Sequence, residues 1–375
     1  MSQKVAFVSN NAWSIYNFRL DILKMFIENG HEVIVIAPDD GYSAKLTEIG
    51  CRFYPVEFNN RSKNVFGDLK LYRNLRKLYR ELRPDFIFHY VIKPNIYGSL
   101  AASAEGIPSV AVITGLGYSF AKNNWLTRVV EKLYQRALEG PREVWFLNNE
   151  DANIFLQKKL VDIKKVRVLP GEGVNTEFFS RSVPLLNPGR KQFNFLMATR
   201  LLKSKGVEVF ANAARILKNK NYDVNFTLLG IFEEDHPDAI SKATIEDWQK
   251  EGLIDFKGYA SDVRPFLDHA DCFVFPSFYK EGVPRCLMEA ASMELPIITA
   301  YNRGCKEVVM NNSNGFICKQ NDPFDLAEKM EKMVNLDDNE RVRMGKYGRL
   351  HVHRKFGIDN IKEAYQQTIS SVIPD

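Results

Sequence analysis

The sequence predicts an α/β protein made of two Rossmann-like, mostly parallel sheets, and three observations carry that expectation. Short apolar runs rich in β-branched and aromatic residues alternate with helix-length segments, the pattern of successive βαβ units. The alternation breaks over residues 171–192 and then restarts. At 375 residues the chain also exceeds what one ordinary core supports, so two domains are expected.

In chain order, "KVAFVSN", "EVIVIAP", "FIFHYV", "SVAVITG" and "EVWFLN" read as strands that are hydrophobic on both faces, as buried parallel strands are. Residues 17–29, 67–83, 94–105 and 125–139 lie between them and have helical length and spacing. "LPGEGVNTEFFSRSVPLLNPGRK" then interrupts the pattern with Gly, Pro and polar residues, which reads as a linker over 171–192 after a first domain of residues 1–170. "FNFLMATR", "VNFTLLG", "IDFKGY", "CFVFPS" and "PIITA" are the strands expected of a second domain over 193–355, each followed by a helical stretch. Residues 356–375 are expected to form a helix that returns to the first domain. Ligands of such sheets bind beyond the carboxyl ends of the strands, so the residues just after each strand carry the functional information.

A composition of 45% hydrophobic and 26% charged residues is that of a soluble globular protein. No apolar run approaches the roughly 18 residues that span a bilayer, and the apolar part of "MSQKVAFVSN" is too short for a signal peptide. Cys51, Cys272, Cys286, Cys305 and Cys318 show no C-x-x-C pairing, which predicts free thiols in a reducing cytoplasm rather than zinc or disulfides. Residues 1–170 hold 24 Lys and Arg against 17 Asp and Glu, a net +7, which leaves −2 of the overall +5 for the rest. That excess suits an anionic partner, a membrane surface or a phosphorylated ligand, as well as an ordinary solvated face. No nucleic-acid partner is expected.

Chemistry concentrates at two strand exits of the second half. "EGVPRCLMEA" follows "CFVFPS" and sets Glu281 and Glu289 on either side of a Gly282-Val283-Pro284 elbow. Pro284 suits the first turn of a helix, which puts Glu281 in the preceding loop and Glu289 inside the helix. Eight residues of continuous helix are about 80° of rotation and about 12 Å of rise, so the acids read as two separate contacts to one elongated ligand. Exposed amides near Gly282, Val283 and Pro284 are expected to face an anion or a ring of hydroxyls. An acid beside that anion-attracting end suits hydroxyl donors, so Glu281 fits a sugar and Glu289 a ribose cis-diol. "ATRLLKSKG" adds Arg200 and Lys205 after another strand, a bidentate fork and a point charge suited to a diphosphate. Taken singly, each of these signals is also met on ordinary surfaces.

Together "TRLLKSKG", "GYASDVRPFLDHADCFVFPSFYKEGVPRCLMEAASMELPIIT", "NRGCKEVV" and "NNSNGFICKQNDPFDLAEKM", in that order, resemble retaining glycosyltransferases of the GT-B, family 4 type, which assemble bacterial cell-envelope polysaccharides and glycolipids. "HYVIKPNIYGSLAA" and "AVITGLGYSF" extend the resemblance to nearly the whole chain. It implies two Rossmann-like domains facing an interdomain cleft, a nucleotide-sugar donor, most plausibly a UDP-sugar, in the second domain and an acceptor in the first. Arg200 and Lys205 would neutralise the diphosphate, Glu289 would hold the ribose, and Glu281 with Gly282, Val283 and Pro284 would hold the transferred sugar. Tyr259 and Val263 of "GYASDV" would bracket the base, and Gly304 would support the same cleft. No D-x-D occurs, so a metal-independent enzyme is expected, with cations in place of a bridging ion.

On the acceptor side the candidates are Asn11, Trp13 and Tyr16 in "SNNAWSIYNFR", Lys93 and Asn95 in "VIKPN", and Thr114, Gly115 and Gly117 in "TGLG". Relatives often have a glycine turn after the first strand, where this chain has "NNAWS", and a histidine near "AVITG", where this chain has Thr114. His89 is the nearest substitute, with a buried structural role as its alternative. In "GDLKLYRNLRKLYRELRPD", Leu71, Leu75, Leu78 and Leu82 form an apolar stripe, while Arg73, Arg76, Lys77, Arg80 and Arg83 project elsewhere. With "NNRSKN" upstream, that basic helix suits anionic headgroups of an inner membrane carrying an undecaprenyl diphosphate-linked saccharide as acceptor. Arg285 would either favour an acidic or acetamido group on the sugar or face solvent. The expected reaction is transfer of a sugar, such as an N-acetylhexosamine, in capsule or O-antigen type assembly. The alternatives are a sugar-nucleotide epimerase of the same fold and a non-catalytic nucleotide-sugar-binding protein. A nicotinamide enzyme is disfavoured, because "SNNAWSIY" lacks the G-x-G-x-x-G turn.

Overall fold

A computed structural model describes residues 2–58, 65–116, 125–183, 185, 192–279 and 281–371. The chain divides into two compact units, Met1–Glu172 with Ile358–Asp375 and Gly173–Gly357.

The first unit contains β1 (Lys4–Val8), α1 (Ala12–Glu28), β2 (Glu32–Ala37), α2 (Ser43–Glu48), β3 (Arg52–Pro55), α3 (Val65–Leu82), β4 (Phe86–Tyr90), α4 (Ser99–Ala104), β5 (Ser109–Ile113), α5 (Trp125–Ala137), β6 (Glu143–Phe146), α6 (Asn149–Gln157) and β7 (Val166–Val168). Its seven-stranded sheet has the order β3-β2-β1-β4-β5-β6-β7, parallel throughout. The strands with continuous apolar runs occupy the middle: β4 and β5 are buried at every position. β3 and β7 lie at the edges, with half-exposed patterns too short and too polar to stand out in the sequence. The helix expected from residue 17 starts five residues earlier, because the Asn11 side chain accepts the Ser14 N–H and caps it. The helix expected over 94–105 opens as a π-turn, Pro94–Gly98, before α4.

The second unit contains β8 (Phe193–Ala198), α7 (Val207–Asn219), β9 (Val224–Leu229), α8 (Lys242–Lys250), β10 (Asp255–Phe256), α9 (Arg264–Asp268), β11 (Cys272–Phe275), α10 (Arg285–Ser292), β12 (Ile297–Ala300), α11 (Arg303–Val308), β13 (Gly315–Cys318), α12 (Pro323–Asn335) and α13 (Asp338–Phe356). Its six-stranded parallel sheet runs β10-β9-β8-β11-β12-β13. Val174, Phe179 and Leu185 anchor the segment after Glu172 in this unit's core. α13 also belongs here: the Arg349 guanidinium donates to the carbonyls of Thr176 and Phe179, at 2.9 and 3.1 Å.

α14 (Ile358–Ser370) packs in the first unit. Its Tyr365 ring lies against Phe88 and Trp145, with centroids 4.6 and 4.8 Å apart, and its hydroxyl meets that of Tyr90 at 2.7 Å. Arg19, on α1, stacks 3.8 Å over the Tyr90 ring and donates to both carboxylate oxygens of Glu172, at 2.7 and 2.9 Å. This pair is nearly sealed from water, so losing one partner would strand the other's charge. Glu172→Ala is expected to lower stability by about 3 kcal/mol, and replacing both residues with Met should recover part of that loss. Urea unfolding of the single and double variants measures both effects.

Candidate functional site

In the second unit the chain beyond β8 continues to pair with the β9 side: Thr199 N–H donates to Leu229 and Leu201 N–H to Ile231, each at 3.0 Å. Arg200 projects from this exit, 45% exposed in its side chain, and pairs with Glu233 at 3.0 Å. A 3-10 turn over Lys203–Lys205 follows, and its Ser204 carbonyl accepts the N–H groups of Phe278 and Tyr279 from the β11 exit, at 2.9 and 3.1 Å. The two strand exits are thus stitched together. Gly206 makes this possible: its φ is +81°, and a Cβ there would lie 2.3 Å from the Pro276 carbonyl oxygen.

The stitching brings Lys205 onto Glu281. Lys205 Nζ lies 2.6 Å from Glu281 Oε1, with side chains only 9% and 11% exposed, and sits 4.8 Å from the Tyr279 ring centroid. Ser277 Oγ donates to the same carboxylate oxygen at 2.6 Å. Asn302 Nδ2 holds the loop from behind, donating to the carbonyls of Ser277, at 3.2 Å, and Tyr279. Gly304, at the start of α11, meets the Gly282 carbonyl so closely that a Cβ would fall 1.2 Å from its oxygen, so this contact requires glycine.

Glu289 lies one turn inside α10, where Arg285 Nε donates to its Oε1 at 2.9 Å. Burial pushes the Glu289 carboxyl up, and Arg285 works against that rise. Arg285 is therefore largely buried against Glu289 and does not face solvent. Glu289, Glu281 and Lys205 all act electrostatically on the Cys286 thiol, which burial holds well above its usual range. Pro284 caps α10 and does not enter its first turn; it and Val283 are buried, and Pro284 has no N–H to offer. Tyr259 is 54% exposed, whereas Val263 is half-buried and packs on the core. Among the described residues no group of three His, Cys, Asp or Glu is arranged to hold a metal ion.

The first unit changes several acceptor-side expectations. His89 is fully buried, 3.0 Å from the Tyr79 hydroxyl and 3.4 Å from Ser99 Oγ, and burial lowers its pKa to about 3. It is a neutral core residue, out of an acceptor's reach. Asn95 is also fully buried, where its amide donates to the Val112 carbonyl at 2.9 Å. Lys93 pairs with Asp68 of α3 at 2.7 Å, and Tyr97 donates to the other oxygen of the same carboxylate. Asn11 is occupied in capping α1. Trp13 is 38% exposed, with its backbone N–H donating to the Asp40 carboxylate, and Tyr16 packs beside Tyr42. Thr114 and Gly115 follow β5, while Gly117 lies outside the described residues, as do "NNRSKN" and Lys280. On α3, Arg76 and Arg80 both grip Glu105, whose carboxyl they hold down at about 2, so two of the five bases on that helix serve the fold.

Ser277, Tyr279, Asn302 and Glu233 contribute to this arrangement without having stood out in the sequence. Ser277 and Tyr279 lie at the exit of a recognised strand, which was the available signal. Asn302 and Glu233 carried none, because their partners are 23 to 33 residues away.

Cations and carboxylates at the strand exits of a Rossmann-like sheet are the arrangement of a phosphate- or sugar-binding α/β protein, and the comparisons give the family. Residues 184–351 match the family described as glycosyl transferases group 1, and residues 4–148 match glycosyl transferase 4-like. The chain is 31% identical over 360 residues, 92% of each protein, to the N,N'-diacetylbacillosaminyl-diphospho-undecaprenol alpha-1,3-N-acetylgalactosaminyltransferase of Campylobacter jejuni. It is 27% identical to the UDP-Gal:alpha-D-GlcNAc-diphosphoundecaprenol alpha-1,3-galactosyltransferase of Escherichia coli, over 89% of this chain and 88% of that one. In fold it is similar to Anabaena HepE solved with UDP-glucose, with a TM-score of 0.82 at 18% identity over 98% of this chain and 100% of that one. The chain belongs to the group 1 glycosyltransferase family, and its fold is GT-B.

Because the folded protein keeps His89 neutral down to about pH 3, whereas an unfolded histidine takes up its proton near pH 6.5, the unfolded state binds more protons between those values. Stability is expected to fall on acidification across that window, with a slope approaching about 1.4 kcal/mol per pH unit from this residue, and to be insensitive to it above. Urea unfolding of wild type and His89→Gln at a series of pH values should show that slope removed in the variant.

Proposed function

We propose that this glycosyltransferase moves a sugar from UDP to a hydroxyl of a lipid-diphosphate-linked saccharide, with retention of the anomeric configuration. The observation that carries the donor side is the near-buried Lys205–Glu281 contact between two strand exits, with Arg200 on the first of them. The acceptor class is supported by the Campylobacter jejuni and Escherichia coli relatives, both named for diphospho-undecaprenol substrates. The former transfers N-acetylgalactosamine and the latter galactose, and an N-acetylhexosamine is the donor sugar favoured for this chain.

In this reading Arg200 and Lys205 neutralise the diphosphate and the charge that grows on it as the glycosidic bond breaks. Glu289 accepts the ribose hydroxyls, Tyr259 and Val263 flank the base, and Glu281 with the Gly282–Pro284 backbone receives the sugar. The acceptor oxygen attacks the anomeric carbon from the face the diphosphate leaves. The carbon–phosphate oxygen bond breaks, the new glycosidic bond forms, and the acceptor proton passes to the departing phosphate oxygen. Two side-chain cations supply the counter-charge, so no metal ion is required.

Trp13, Tyr16, Thr114 and Gly115 are the acceptor-side residues that fit this reading best. No described helix is long and apolar enough to cross a membrane. The exposed bases Lys70, Arg73 and Lys77 of α3 support peripheral attachment to an anionic bilayer, on the cytoplasmic face of the inner membrane.

UDP release from a panel of UDP- and GDP-sugars, in EDTA, with a polyprenyl-diphosphate-linked N-acetylhexosamine as acceptor, tests the proposal. Acceptor-dependent release from one UDP-sugar is expected, with a loss of at least about a hundredfold in Glu281→Ala and Arg200→Ala. Release that requires an added divalent ion would overturn the metal-independent reading.

A further inference from the structure

We infer that Ser277 is a positioning residue for transfer: its hydroxyl keeps one oxygen of Glu281 occupied, so that the other is presented to the donor sugar. This rests on the reading that Glu281 contacts that sugar. Two donors converge on a single atom, for Lys205 Nζ and Ser277 Oγ are each 2.6 Å from Glu281 Oε1. Among the described residues Oε2 has no hydrogen-bond partner.

Ser277 is fully buried two residues beyond β11, and its own carbonyl is held by Asn302 at 3.2 Å. Its hydroxyl has one proton to give and two acceptors within reach: Glu281 Oε1 at 2.6 Å and the Ser204 carbonyl at 3.3 Å. The shorter contact, to an ionised oxygen, is the charge-assisted one and sets the orientation. The terminal torsion of a glutamate is broad and roughly two-fold, so without such a tether the two carboxylate oxygens exchange readily.

The need for Ser277 arises when the donor binds. Lys205 also holds Oε1, yet the proposed function turns that same ammonium towards the diphosphate. As Lys205 shifts its charge to the phosphates, its hold on Glu281 weakens, and Ser277 keeps Oε1 in place. Oε2 then stays aimed at the sugar hydroxyl at the moment of transfer. A hydroxyl suits this task better than a second cation, because it orients the carboxylate without competing with Lys205 for the diphosphate or cancelling the acid's charge.

The test compares wild type, Ser277→Ala, Ser277→Thr, Ser277→Cys and Glu281→Gln, using UDP-N-acetylgalactosamine, UDP-galactose, UDP-N-acetylglucosamine and UDP-glucose with the polyprenyl-diphosphate acceptor. Turnover, the Kd for UDP alone and thermal unfolding are measured for each. For Ser277→Ala the expected result is a fall in kcat of about tenfold or more, with UDP affinity within about threefold of wild type. Ser277→Thr should restore most of kcat, and Ser277→Cys, a weaker donor of similar size, should fall between Ala and Ser. Wild-type kcat in Ser277→Ala while Glu281→Gln is inactive would overturn the inference and leave the role of Glu281 standing. Parallel losses of UDP affinity, stability and kcat, with no recovery in Thr or Cys, would also overturn it, since they would mark Ser277 as scaffolding only. Wild-type kcat in Glu281→Gln would instead remove the proposed role of Glu281, and this inference with it.

Discussion

The candidate site of this glycosyltransferase depends on a contact that is costly to build: a lysine and a glutamate, both about nine-tenths buried, brought together from turns 76 residues apart. Removing two charges from water is unfavourable, and their attraction offsets the cost only with close geometry and further hydrogen bonds. Those conditions are met by backbone. Ser204 accepts two N–H groups from the opposite strand exit, Gly206 lets the turn approach Pro276, and Asn302 pins the β11 loop from the far side. Gly304 lets α11 close against Gly282, so the loop that carries Glu281 is held from two directions. The sheet serves this arrangement by setting β8 and β11 side by side.

Each of three cations around the site is paired with a carboxylate. Arg200 faces Glu233, Lys205 faces Glu281 and Arg285 faces Glu289. The pairs differ in depth. Arg200 and Glu233 are accessible to solvent and only loosely coupled, whereas the other two are largely withdrawn from it.

The first unit uses buried polarity differently. Arg19, Glu172, Tyr90 and Tyr365 form one network joining α1, β4, the end of the unit's own chain segment and α14. His89 ties β4 to α3 and α4, and Asn95 ties the helical turn after Lys93 to β5. Several polar residues that resemble ligands in a linear reading are thus consumed in holding strand ends in register. By contrast Trp13 stays exposed and Thr114 half-buried.

The two-sheet architecture was legible in the sequence because central parallel strands are buried on both faces and read as unbroken apolar runs, as in "FIFHY" and "CFVF". The candidate site residues stood out for a related reason: the carboxyl ends of such strands are where side chains are free to meet a ligand, and Arg200, Lys205, Glu281 and Glu289 all follow such ends. Edge strands β3, β7 and β13 did not, since short, half-exposed or glycine-led segments carry no periodic signal. Pairing was decided by tertiary structure alone. Nothing local distinguishes Lys93, tied to Asp68, from Lys205, tied to Glu281, or a buried His89 from an exposed one. Ser277 became notable only when folding set its hydroxyl against a carboxylate oxygen. Composition and periodicity are properties of neighbours along the chain, whereas burial and partnership depend on residues tens of positions away, and only packing brings those together.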